Sequence, residues 1–155
     1  MAFRNLLYCR LYHYDVLTHK RAFMNTDYEA FSNLVKEQFP DTVEGKSGVL
    51  SLIFDSISLS IVPVPADPTA VLFRLRVLDL TVISREGEFL LAALKGNFFW
   101  SGTDGATLSV GKDNMLYLTE RRYLNEFPAA EYIESCFEDY ARIVNDWRMR
   151  GQTYA

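Results

Sequence analysis

His13 and His19 are the only imidazoles in the 155 residues, and they stand six apart. Two ligands on one helical face need i, i+4 spacing, so the pair is not expected to hold a metal. Both fall in the first 24 residues, which leaves the rest of the chain without an imidazole general base. Ser56, Ser58 and Ser60 offer hydroxyls, but no Gly-x-Ser-x-Gly context surrounds them. Their alternation with Ile57, Leu59 and Ile61 makes them the polar face of a strand. Gly102-Thr-Asp-Gly105 is followed by no Gly-Lys-Ser/Thr at a helix start, so it reads as a turn and not a phosphate loop. Asp104 and Asp113 lack the spaced acidic ligands of a calcium loop and read as turn residues. No catalytic residue, metal or cofactor is expected.

The remaining chemistry is that of surfaces. Arg74 and Arg76 share one strand face, and Arg121-Arg122 are placed just after the last strand; beside the plain reading as solvated surface, they suit a partner's acidic groups. Sixteen Lys and Arg stand against 20 Asp and Glu, a net charge of −4. That balance, without a basic patch interleaved with aromatics, argues against nucleic acid. Phe98, Phe99 and Trp100 are consecutive, so they cannot all face one core. At least one belongs at the surface or in an interface, where aromatics supply much of the contact energy. Cys9 and Cys136 form no CxxC pattern, which suits a reducing compartment. Cys136 reads as a small apolar residue on the inner face of a helix. Arg4 and Arg10 interrupt any signal-peptide core, and nothing approaches the roughly 20 apolar residues of a membrane helix. A cytoplasmic protein with no membrane partner is expected.

These side chains must be positioned by a fold that 49% hydrophobic residues can fill as one domain. Residues 1–24 suit neither helix nor strand and read as an arm. The domain spans 25–150, with a tail at 151–155. Thr26 and Glu29 have capping-box spacing, and Tyr28, Phe31, Leu34, Val35 and Phe39 then mark one helical face that Pro40 ends. Residues 49–54 and the alternating stretch to Ile61 form two strands around a turn near Asp55. The prolines of residues 63–68 predict a loop. Val71, Phe73, Leu75 and Val77 alternate in a third strand. Ser84 is placed to cap a second helix, with Glu86 and Glu88 in its first turn, Lys95 in its last and Gly96-Asn97 as its stop. Strands at Ala106–Val110 and Met115–Thr119 flank a turn. Pro128 suits the first position of a last helix, striped by Ile133, Phe137, Tyr140, Ala141, Val144 and Trp147. The class is α+β: about five antiparallel strands and three helices, in the order α-β-β-β-α-β-β-α.

That order over roughly residues 26–149 resembles the class I type III secretion chaperones, the Tir chaperone family. The most specific part is the second helix ending in Leu94 and Asn97, then Gly105-Ala-Thr-Leu108, a turn and Leu116-Tyr-Leu118; the closing helix with Trp147 is also similar. The resemblance implies a bacterial cytoplasmic homodimer that binds the N-terminal segment of a secreted effector in extended form. It would keep that segment soluble and deliver it to the secretion machinery, with the secretion ATPase as a further candidate partner and no nucleotide of its own. It implies effector contacts at Phe31, Leu34 and Val35 of the first helix and Leu52, Phe54, Leu72, Arg74 and Arg76 of the sheet. Dimer contacts are implied at Leu90, Leu91, Leu94, Phe98, Phe99 and Trp100. The residues before position 25 depart from the family, whose usual start is the first helix. A non-secretory regulatory protein of the same fold and a small-ligand α+β domain are the rival expectations.

Overall fold

Period-two stretches of this chain pair into one sheet, and the period-3.6 stretches lie against it. The computed structural model describes residues 27–155; the arm assigned to residues 1–24, with His13, His19 and Cys9, and the cap assigned to Thr26 lie outside the described residues. Among the described residues are helices α1 (Tyr28–Gln38), α2 (Glu86–Asn97) and α3 (Ala130–Gln152). The strands are β1 (Val43–Glu44), β2 (Leu50–Phe54), β3 (Ile57–Val64), β4 (Asp67–Asp79), β5 (Thr107–Val110) and β6 (Met115–Tyr123). They form one six-stranded sheet in the order β1-β2-β3-β4-β6-β5, and every neighbouring pair is antiparallel. The α+β class and element order are those expected, with the short β1 added at one edge.

Alternation decides which face is dry. Leu50, Leu52, Ile57, Leu59, Ile61, Val71, Phe73, Leu75, Val77, Leu116 and Leu118 are all buried, as is the whole α3 stripe from Ile133 to Trp147. The Phe73 ring meets Tyr140 at 5.5 Å and Phe137 at 6.0 Å, so α3 covers the inner face of β4. α1 closes the same layer, with Phe31 against Phe127 at 5.4 Å and Phe39 stacked on Phe137 at 5.0 Å.

Several local expectations are corrected. Asp27 caps α1, its carboxylate accepting the Glu29 N–H at 2.9 Å. The loop expected over 63–68 is a tight hairpin, with Pro63 and Val64 inside β3 and Asp67 and Pro68 inside β4. Prolines are tolerated there because each sits where its strand has one neighbour: β2 pairs β3 only to Ile61, and β6 pairs β4 only from Ala70. The register also shifts at Pro63/Val64. Ser84 does not cap α2, whose N-cap is Arg85 without a side-chain bond. Pro128 lies two residues before α3, which starts at Ala130. β6 runs on to Tyr123, so Arg121 and Arg122 lie within it.

Candidate functional site

The C-terminal end of α2 is built around a close approach of two glycines to Trp147. A Cβ on Gly96 would sit 2.4 Å from Trp147 Cζ2, and one on Gly102 would sit 3.2 Å from both Gly96 Cα and the same ring. The Gly102 N–H donates to Gly96 O at 3.0 Å, and Trp147 Nε1–H donates to Gly102 O at 2.8 Å. The chain therefore leaves the core at Gly96 and returns at Gly102, which forces the residues between them outward. Phe98, Phe99 and Trp100 are 70%, 79% and 56% exposed. Phe99 and Trp100 both hold positive φ, 48° and 54°, a left-handed conformation costing each about 1–2 kcal/mol. A short 3-10 turn fixes them, with Ser101 N–H on Phe98 O at 3.2 Å and Asp104 N–H on Trp100 O at 3.0 Å. On α2 itself, Phe89, Ala93 and Gly96 face inward, while Leu91 and Leu94 stay 53% and 66% exposed. The result is an apolar stripe of Leu91, Leu94 and Phe98 at i, i+3, i+7 spacing, continued by two strained aromatics.

Asn97 closes the sheet edge beside that stripe. Its Oδ1 accepts the Leu108 N–H at 2.8 Å and its Nδ2 donates to Leu108 O at 3.0 Å. The amide side chain thus stands in for a neighbouring strand at the centre of β5.

The second surface is the outer face of the sheet. Ser51, Ile53, Ser58, Arg74, Arg76, Arg121, Thr107 and Ser109 are exposed, and Ser60, Val62, Leu72, Tyr117 and Thr119 are half-buried. Register places Ser60 and Thr119 on either side of Arg74 and Tyr117 beside Arg76. The Arg74 guanidinium lies 5.4 Å from the centre of the Tyr117 ring. Tyr117 donates its hydroxyl to Asp113 at 2.6 Å; that bond raises the phenol's pKa, with desolvation adding to it, and lowers the carboxyl's against its own desolvation. Arg121 pairs with Asp67, whose carboxyl is lowered first by its hydrogen bonds to Thr69 and then by Arg121.

An apolar groove of about 310 Å³ lies where α1 begins, lined by Tyr28, Gly48, Pro63, Val64, Pro65 and Pro68 among others. Tyr28 donates its hydroxyl to Gly48 O, and burial, helped by Glu44, pushes the phenol up to about 12. Arg122 belongs to a different, inner cluster. It pairs with Glu126 at 2.7 Å and Glu120 at 3.7 Å and lies over the Phe127 ring. Tyr140 donates to Glu120 at 2.7 Å, and its burial holds the phenol well above its usual range. This cluster ties α3 to β6 and is structural. Among the described residues no group of three or more His, Cys, Asp or Glu side chains is placed to hold a metal. No helix among them is long and apolar enough to cross a membrane.

The sequence-predicted residues divide by burial. Phe31, Val35 and Leu52 lie in the core, because α1 packs Phe31 and Val35 inward and Leu52 shares the buried face of Leu50. Leu34 and Phe54 are half-buried against that core. Leu72, Arg74 and Arg76 come together on the open sheet face. Leu91, Leu94, Phe98, Phe99 and Trp100 come together on the other surface, with Leu90 half-buried beneath. Three features have no counterpart in the sequence reading: the proline groove, the Asn97 clamp and Arg148. Arg148 donates to Val77 O at 2.7 Å and so serves the register shift in β4. The prolines of 63–68 signalled the groove only as a loop, and Asn97 stood out only as a helix stop.

The Tir chaperone protein (CesT) family model matches residues 32–148. No curated protein matches the chain by sequence. Solved structures share the fold. The ExsC–ExsE complex aligns with TM-score 0.64 at 15% identity over 79% of this chain and 93% of the other. The HopA1–SchA chaperone–effector complex aligns at 0.58 and 13% identity, over 79% and 95%. The Yersinia pestis type III secretion chaperone SycH, in complex with a stable fragment of YscM2, aligns at 0.50 and 16% identity, over 81% and 99%.

Proposed function

The chain belongs to the Tir chaperone protein (CesT) family, and on that premise we propose that it is a type III secretion chaperone for a cognate effector. It binds the effector's N-terminal segment in extended form, keeps it soluble and secretion-competent, and hands it to the secretion apparatus, with the secretion ATPase as the receiving partner. It works in the bacterial cytoplasm as a homodimer and catalyses no reaction. The observation that carries this reading is the one-sided sheet: among the described residues helices cover one face, and the other stays open beside an apolar groove. An unfolded segment is recognised by such surfaces through pocket filling and strand addition, without a catalytic constellation.

Two surfaces divide the work. The α2 stripe with Phe98, Phe99 and Trp100 is the dimer contact, since a contiguous exposed apolar patch fits a protein interface better than solvent. Leu34, Phe54 and Leu72, with the Tyr28–Pro68 groove, receive apolar side chains of the effector; Arg74 and Arg76 receive polar ones. Phe31, Val35 and Leu52 shape those surfaces from beneath.

Affinity-tagged protein purified from the native host, followed by limited proteolysis of what it retains, tests the reading. One dominant partner, protected over a short N-terminal segment, is the expected result. A partner held through a folded domain, or none, would overturn it.

A further inference from the structure

The open sheet face carries three exposed arginines, and among the described residues one of them is ion-paired with a carboxylate. Arg121 is satisfied by Asp67. Arg74 and Arg76 have no ion-pair partner among the described residues, although both are exposed near the middle of the longest strand. Asp79 and Asp113 feel the charge of Arg76, but each is engaged by its own hydrogen bonds, from Thr81 and Tyr117. The two guanidiniums are two residues apart on one strand, so their Cα atoms are separated by about 6.6 Å. Small hydroxyls surround them: Ser60 and Thr119 flank Arg74, and Ser58 continues the row. A shallow platform of this kind lets a backbone lie close. An extended segment presents every second side chain to a surface, at the same spacing.

Resting on the chaperone reading above, we propose that Arg74 and Arg76 select effector segments with two carboxylates at i and i+2, laid along β4 on the open face. Charge complementarity favours this occupant over the chain's own beginning. Residues 1–26 carry Arg4, Arg10, Lys20 and Arg21 against the single Asp15, so they are repelled by an arginine pair. The Arg121–Asp67 pair shows how this face meets a carboxylate when one is within reach.

Fluorescence anisotropy of the full chain with labelled ten-residue Ser/Thr/Val peptides tests the proposal. One peptide carries Glu-Val-Glu, one Gln-Val-Gln and one Glu-Val-Val-Glu, whose second carboxylate points the other way in an extended chain. Two exposed charge pairs are worth together up to about thirtyfold in affinity. Glu-Val-Glu should bind about tenfold more tightly than Gln-Val-Gln at low salt, with Glu-Val-Val-Glu between them, and the advantage should shrink at high salt. Arg74→Gln/Arg76→Gln should reduce Glu-Val-Glu to the Gln-Val-Gln level, whereas Arg74→Lys/Arg76→Lys keeps part of the gain. Both positions are exposed, so the variants should fold, as circular dichroism checks. Equal affinity for the two glutamate spacings, or a double variant that binds as wild type, would overturn the proposal. If Gln-Val-Gln binds as well as Glu-Val-Glu, the arginine selection fails while the chaperone reading stands. If wild type binds no peptide, the arginine selection also fails, and the native-host purification decides the chaperone reading independently.

Discussion

α2 contains two helical glycines that should respond to alanine with opposite sign. Gly87 has nothing within 4 Å of where a Cβ would stand. Alanine there removes conformational freedom from the unfolded chain and should stabilise by about 0.4–1 kcal/mol. Gly96 has the same propensity argument, but its Cβ would lie 2.4 Å from Trp147 Cζ2 and 2.8 Å from Cη2. Carbon atoms rest at about 3.5–4.0 Å, so the ring or the helix must retreat by roughly 1 Å. Trp147 is fully buried and tethered to Gly102 O, so it has little room to yield. Overpacking of this kind costs about 1–3 kcal/mol and outweighs the propensity gain. Gly96→Ala should therefore lower stability by about 1 kcal/mol net of the propensity gain, or a few degrees in Tm. Chemical denaturation of both variants at one protein concentration is the assay, because the stability of the proposed dimer would depend on concentration. A Gly96→Ala protein as stable as Gly87→Ala would refute the claim that Trp147 fixes the end of α2.

Three further outcomes follow from the same surfaces. Leu94→Glu with Phe98→Ser should convert a dimer to a folded monomer by light scattering, since both side chains are largely exposed in one subunit and buried anchors carry about 2 kcal/mol or more each. Asn97→Ala leaves the Leu108 N–H and C=O without their partner. It should cost about 1–3 kcal/mol and speed hydrogen exchange at the Leu108 amide. At alkaline pH the folded Tyr28 holds its proton up to about 12 against an ordinary 10.0. Stability from this group is whole below pH 10 and lost as pH rises toward 12. Tyr28→Phe should flatten that part of the slope in denaturation at pH 9 and 11, and Tyr140, also raised, keeps the remainder.

Legibility in the sequence followed the strength of the local signal. α3 was plain because its apolar stripe runs unbroken from Ile133 to Trp147 and all of it is buried. The strands through Ile57–Ile61 and Val71–Val77 were plain because every second residue is apolar and buried. The hairpin at 63–68 was not, because a proline is compatible with a strand only where one neighbour is missing, and strand order is a long-range fact. The helix starts failed for a similar reason: Thr26 and Ser84 have capping chemistry and Pro128 suits a first helical position, yet Asp27 and Arg85 hold the caps and Ala130 opens α3. For the candidate site, periodicity identified which α1 and sheet residues are apolar without saying that Phe31, Val35 and Leu52 point inward. The exposure of Phe98, Phe99 and Trp100 was partly legible, since three consecutive aromatics cannot share one core. The cause, a glycine pair closing on Trp147 across 45–51 residues of sequence, was not.

The two edges of the sheet are unequal, and that inequality orders the surfaces. At β5 an incoming strand must first displace Asn97 from Leu108, giving up hydrogen bonds of 2.8 and 3.0 Å, so this edge is closed to strand addition and left to the α2 stripe. At the opposite edge β1 pairs only with Leu50 and Ser51. The rest of β2, Leu52 to Phe54, has β3 on one side and, among the described residues, no strand on the other, and Ile53 there is 77% exposed. Exposed strand edges recruit other chains unless blocked. A segment that joins this sheet therefore has an open edge at β2 among the described residues and a closed one at β5, and the dimer contact proposed at α2 would not compete with it. Arg74 and Arg76 lie between the edges, on the open face, where a segment that continues across the sheet from β2 would pass over them.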